Sequence, residues 1–378
     1  MKRIFALATG LALLSSASAA TAGSTSNPST PSNGIDEILN RSLESRGIEP
    51  NAPVSDEVFV RRIHLDIAGR IPTKAEADAF LADSSKNKRS KLIDALLDSE
   101  GYVNHFYNFW ADILRVHSNA NGARDSYQPY AKFVKDSLRE NKPYDEFVRD
   151  LLTSEGAATE DGAVGYYMRD RGMPLDNLAN TVRIFLGTRL ECAQCHNHPF
   201  DKWTQMDFYT MAAYSYGVSA NNNYGSKKIT EATQLMNKSD KWDRDEKRDL
   251  NRAMQEIRRP LRNGSNVVFD ADKLPQLPHD YQSSDAEPTP EIEPSTLVGN
   301  EAPIKDPGKR LEAYAAWMTS PDNPRFATVI ANRLWREAMG IGLIEPVDEF
   351  TDSTVASDPE LLQFLEEQIV ASGFDTKA

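Results

Sequence analysis

The chain has 378 residues, of which 40% are hydrophobic and 26% charged. That balance excludes a wholly disordered chain, and no run of eighteen apolar residues exists that would mark a multi-span membrane protein. The formal net charge of −13 comes with no basic stripe, which argues against a nucleic-acid partner.

Residues 1–19 read as a secretory signal. Lys2 and Arg3 form the basic start, residues 4–14 a short apolar core, and Ala17-Ser18-Ala19 a small-residue cleavage site. The sequence therefore predicts export to the periplasm or cell surface, with no transmembrane anchor after cleavage. Residues 20–34 are rich in Ser, Thr, Pro, Asn and Gly and read as a disordered tether.

Helical signals follow. Thr73-Lys74-Ala75-Glu76, directly after Pro72, is a capping box that predicts a helix through Phe80 and Leu81. Apolar residues at helical spacing predict helices over 91–97, 102–114, 130–138, 144–152 and 175–186. Thr204 and Asp207 predict a further capped start. Residues 226–262 alternate charges of both signs and predict a solvated helical hairpin. Val267-Val268-Phe269 predicts a short strand, and the Pro- and acid-rich run 283–307 an inter-domain linker. Three more helices are expected around 311–318, 326–334 and 361–369. The fold class is mainly α: a helical region over 35–225, a charged insert over 226–262, a connecting stretch over 263–307 and a C-terminal helical region over 308–378.

The two cysteines of the chain fall in Cys192-Ala193-Gln194-Cys195-His196. Two thiols three apart with an imidazole immediately after suit covalent haem c attachment: each thiol adds across one porphyrin vinyl group, and His196 binds the iron axially. The spacing arises by chance on the order of once in ten thousand chains of this composition. Cys192, Cys195 and His196 are thus the candidate cofactor residues. His198 and Asp201 are candidates for outer contacts or for an alternative metal site. Two other chemistries stay open: a disulfide or thiol-redox pair, and a zinc site drawn from Cys192, Cys195, His196 and His198. A non-catalytic surface or scaffold protein is the alternative function those readings support. For a haem, Met206, Met211, Met168, Met173, His105 and His117 are candidate sixth ligands, and Phe200, Trp203, Phe208 and Tyr209 candidate aromatic walls. No Gly-x-Ser-x-Gly and no His-Glu-x-x-His occurs, so no hydrolase motif competes.

The run from Phe185-Leu-Gly-Thr-Arg-Leu-Glu-Cys192 through Cys195-His196-Asn-His198-Pro-Phe-Asp201-Lys-Trp-Thr-Gln205 resembles the cytochrome-c-like secreted domain of unknown function abundant in planctomycetes. Arg61-Arg-Ile-His-Leu-Asp66 with Pro72-Thr, and Phe109-Trp110-Ala-Asp112-Ile-Leu-Arg115, resemble the same domain. Asn323-Pro-Arg-Phe with Asn332-Arg333-Leu-Trp335, and Gly342-Leu-Ile-Glu-Pro346-Val-Asp348, resemble the companion domain of unknown function that usually follows it and normally extends further. The resemblance implies an exported, haem-bearing protein of two domains and no known reaction. The lone Cys-x-x-Cys-His in an exported chain itself points to electron transfer or a haem-dependent oxidoreductase step, with a redox protein as partner.

Overall fold

The structure is a computed structural model, and it describes residues 31–116, 124–221, 226–263, 267–281 and 291–378. The segment that reads as a secretory signal, and residues 20–30 of the stretch that reads as a tether, lie outside the described residues. Among the described residues there are fifteen α-helices and three short strands, so the chain is mainly α.

The first seven helices are α1 (Pro31–Ser45), α2 (Asp56–Ala68), α3 (Lys74–Ala82), α4 (Lys88–Leu97), α5 (Glu100–Ile113), α6 (Arg124–Arg139) and α7 (Tyr144–Leu152). Then come β1 (Gly156–Ala157), α8 (Gly165–Arg169), α9 (Pro174–Leu186), α10 (Gln205–Ala212) and β2 (Val218–Asn221). After α11 (Ser226–Lys238), α12 (Arg244–Asn263) and β3 (Val267–Asp270), the chain ends with α13 (Arg310–Met318), α14 (Phe326–Met339) and α15 (Pro359–Ala371).

The local chemistry explains several boundaries. At α3 the Thr73 hydroxyl accepts from the Glu76 N–H while the Glu76 carboxylate accepts from the Thr73 N–H, completing the expected capping box. Thr204 and Asp207 do the same for α10. Helix α9 starts at Pro174 and stops at Gly187, whose φ of +59° is the left-handed cap geometry glycine adopts without strain. Helix α1 was not expected; it begins at Pro31, inside the segment that reads as a tether.

The three strands form an antiparallel sheet in the order β1-β3-β2, with Asn221 opposite Val267. The α11–α12 hairpin is thereby inserted between two strands whose ends are paired. Its helices pack on each other, with Asn251 donating to Asn237 at 3.0 Å.

One apolar core runs through both halves of the chain. It contains Tyr102, Trp110, Val148, Phe185 and Phe208 from the first part, and Tyr314, Met318, Phe326, Ile330 and Ile369 from the last. Tyr144 of α7 stacks on Phe326 of α14 with ring centroids 4.9 Å apart. The stretch that reads as a linker also packs on this core through Ile292, Leu297, Val298, Ala302 and Ile304. It is pinned by the Ser295 N–H donating to the Thr210 carbonyl and by Trp317 Nε1 donating to the Val298 carbonyl. Among the described residues no helix is long and apolar enough to cross a membrane.

Candidate functional site

The cysteine motif sits on the connection between α9 and α10. Past Gly187, Leu190 is sealed in the core, and a 3-10 turn over Glu191–Gln194 follows. Ala193 points inward from that turn and is fully buried, while Cys192 and Cys195 are exposed and unbridged. In a 3-10 turn, side chains three apart eclipse one another. Both thiols therefore stand on the outer face of one turn. The N–H groups of Cys195 and His196 donate to the Cys192 carbonyl at 3.2 and 3.3 Å, which fixes the turn.

His196 is exposed, and its Nδ1 lies 2.7 Å from the Asn197 carbonyl. A carbonyl only accepts, so Nδ1 carries a proton, and the neutral ring in this arrangement has its lone pair on Nε2. That tautomer, held by a backbone acceptor, is the one metal-bound histidines adopt.

The rest of the loop is tied to the start of α10. The Asn197 side-chain carbonyl accepts from the Gln205 N–H at 2.9 Å, and the buried Gln205 amide donates to the Gln194 carbonyl at 3.1 Å. His198 donates its N–H to the Trp203 carbonyl at 2.7 Å, and its Nδ1 accepts from the Phe200 N–H at 3.3 Å.

Asp201 does not bond to His198. Its Oδ1 accepts from the Lys202 N–H, and its charge acts on Arg325 of the C-terminal region. Among the described residues no three His, Cys, Asp or Glu side chains are gathered as a metal-binding group, so Cys192, Cys195, His196 and His198 do not converge on one point.

Of the four aromatic residues expected as walls, three belong to the core beneath the loop. Phe208 is fully buried, and Trp203 and Tyr209 are nearly so. Burial, reinforced by Cys195 nearby, pushes the Tyr209 phenol up. Phe200 alone stands outward, at 92% exposure. Hydrophobicity marks a core aromatic and a pocket aromatic alike, which is why the sequence does not separate them.

The candidate sixth ligands are dispersed. Met168 and Met211 are fully buried, Met206 packs on the core, and Met173 reaches the surface beside the start of α9. His105 lies against Gly69 and Phe106 on α5. His117 is outside the described residues.

The residues sequence reasoning did not bring to this loop come from the C-terminal region. Arg189 pairs with Asp348 at 2.7 Å and with Glu349 at 2.9 Å. Lys202 pairs with Asp352 at 2.7 Å. The Phe350 N–H donates to the Gly187 carbonyl at 2.6 Å, and Arg325 donates to the Phe350 carbonyl at 3.0 Å. Hydrogen bonding to Asp348 holds the Arg189 guanidinium above its ordinary pKa, whereas burial pulls those of Arg325 and Arg333 down.

Two clefts lie elsewhere. One, of about 860 Å³, is lined by residues such as Phe59, Ile63, Phe106, Leu334, Trp335 and Leu365, from α2, α5, α14 and α15. The other, of about 450 Å³, runs along α13 beside Trp317. No residue of the cysteine loop lines either.

These features define a mainly α protein whose Cys-x-x-Cys-His turn is raised on one region and clasped by another. Residues 34–219 match PSCyt2, described as a protein of unknown function (DUF1549), and residues 309–378 match PSD1, likewise a protein of unknown function (DUF1553). The chain thus carries the PSCyt2 and PSD1 domains in that order. The cysteine motif falls in the first and the clasping segment 345–352 in the second. No curated protein and no solved structure matches the chain.

Proposed function

We propose that this chain is an exported c-type-haem-binding protein, acting in electron transfer or in a haem-dependent oxidoreductase step. The observation that carries the reading is the placement of Cys192 and Cys195 on the outer face of one turn, with His196 next in sequence and its Nδ1 committed to the Asn197 carbonyl. The donor set fits the group: two accessible thiols and an imidazole whose Nδ1 is engaged by a backbone carbonyl, leaving Nε2 as the ligating atom.

Cys192 and Cys195 would hold the group through thioether bonds, a thiol addition with no net oxidation, and His196 Nε2 would hold the iron. The Asn197 carbonyl would hold the ring's orientation and increase its basicity. Leu190 and Ala193, locked in the core, keep the turn from drifting. Haem bound there supplies a one-electron couple. Because the turn and Phe200 are exposed, a redox partner protein would reach the site by surface contact.

The test is expression in a host with haem-attachment machinery and the leader intact. Haem staining on a denaturing gel is expected for the parent chain and lost in Cys192→Ala/Cys195→Ala. Staining that persists in the double variant overturns the reading. A stable disulfide in a stain-free protein moves the assignment to a structural or redox cysteine pair.

A further inference from the structure

The contacts between the cysteine loop and segment 345–352 link residues of two different domains. Arg189, three residues before Cys192, uses one guanidinium nitrogen on Asp348 and another on Glu349. Asp348 also lies 4.0 Å from Arg183 on α9, whose guanidinium reaches Glu191 at 3.8 Å. Arg333 of α14 completes the group. It is 94% buried, lacks any close carboxylate among the described residues, and makes one long hydrogen bond, 3.4 Å, to the Arg183 carbonyl. Asp348 is a carboxylate whose charge reaches Arg183, Arg189 and Arg333.

Buried or half-buried cations are tolerated where a carboxylate compensates them, and removing that carboxylate strands them. Loss of the Asp348 charge therefore takes from Arg189 its closest anchor. The turn that carries the two thiols is loosened, and reagents reach them more readily.

We propose that Asp348 is a positioning residue of the cysteine loop, and that the PSCyt2 and PSD1 domains build one composite site in which the PSD1 segment sets the placement and reactivity of Cys192 and Cys195. The inference rests on the cysteine loop being the working site. Its test reads the thiols directly, so a chain that never takes up haem still reports on it.

The experiment is the alkylation rate of the two thiols in the reduced, haem-free full chain at one fixed pH. Asp348→Asn is expected to react about threefold faster or more. Asp348→Glu, which keeps the charge and the partner for Arg189, should return toward the parent rate. Glu100→Gln breaks a comparable exposed pair with Arg139, bonded at 2.6 Å elsewhere on the surface, and should leave the rate unchanged. Glu349→Gln releases the second carboxylate on Arg189 and should give a smaller rise, which serves if Asp348→Asn does not fold. An unchanged rate in the Asp348 and Glu349 variants overturns the proposal. So does an equal rise in Glu100→Gln, because reactivity would then follow overall stability rather than this contact.

Discussion

The Phe350 N–H donates to the Gly187 carbonyl at 2.6 Å, joining the PSD1 region to the residue that ends α9 and starts the cysteine loop. The same glycine has φ +59°, and a Cβ added to it would lie 2.9 Å from Val329 Cγ2 and 3.2 Å from the Phe350 ring. Helix stop, loop start and inter-domain contact therefore coincide at one residue whose lack of a side chain all three require.

Gly187→Ala is accordingly expected to cost about 2–3 kcal/mol, from left-handed backbone strain together with the collision. Chemical denaturation measures it. A loss well under 1 kcal/mol would mean that the contact yields easily and that the seam between the domains is soft.

His196→Ala leaves both thiols but removes the imidazole nitrogen proposed to hold the iron. Haem attached to this variant should show a displaced Soret band that added imidazole restores. A spectrum identical to the parent's would remove His196 from the ligand set.

Alkaline pH should unfold the protein together with tyrosine ionisation. Burial raises the phenol pKa of Tyr130, Tyr144, Tyr166, Tyr167 and Tyr314, and pushes that of Tyr214 up to about 12. A phenol whose folded pKa lies above its unfolded value stabilises the fold fully below the unfolded value, near 10, and loses that contribution as pH rises beyond it. Stability should thus fall above about pH 10, by up to about 1.4 kcal/mol per pH unit for each such phenol. Phenolate absorbance and far-UV circular dichroism should change together. Phenolate appearing at ordinary pH with the helices intact would contradict the buried-tyrosine core.

The α11–α12 insertion should be dispensable. Because Asn221 pairs with Val267, replacing residues 222–266 with Asn-Gly would close β2 and β3 as a tight hairpin. The melting temperature is expected to stay within about 3 °C. Loss of cooperative unfolding would show that the insertion carries part of the fold.

Much of this architecture is written locally. The pairs Thr73–Glu76 and Thr204–Asp207 announce α3 and α10, Gly187 announces the end of α9, and alternating charge announces the α11–α12 hairpin. Helix α2 is masked because its buried stripe, Val60, His64, Ile67 and Ala68, places a histidine where an apolar residue would show the period. The His64 Nδ1 is satisfied internally, 2.8 Å from the Val60 carbonyl.

What the sequence hides is distant pairing. Strands β1 and β3 meet across more than a hundred residues. The Pro-rich stretch around Ile292 reads as a linker by composition, but the Thr210 and Trp317 contacts fix it to the core. At the site, the cysteine motif is visible from spacing alone. Its partner Asp348 is one of 56 acidic residues, and only the fold selects it.

The most direct measurement is a pyridine haemochrome assay on the full chain, exported from cells with haem-attachment machinery, then denatured and extracted. The account predicts one haem per chain that survives extraction, with neither Cys192 nor Cys195 open to alkylation. Folded, leader-processed protein with no haemochrome signal and two alkylatable thiols would contradict it.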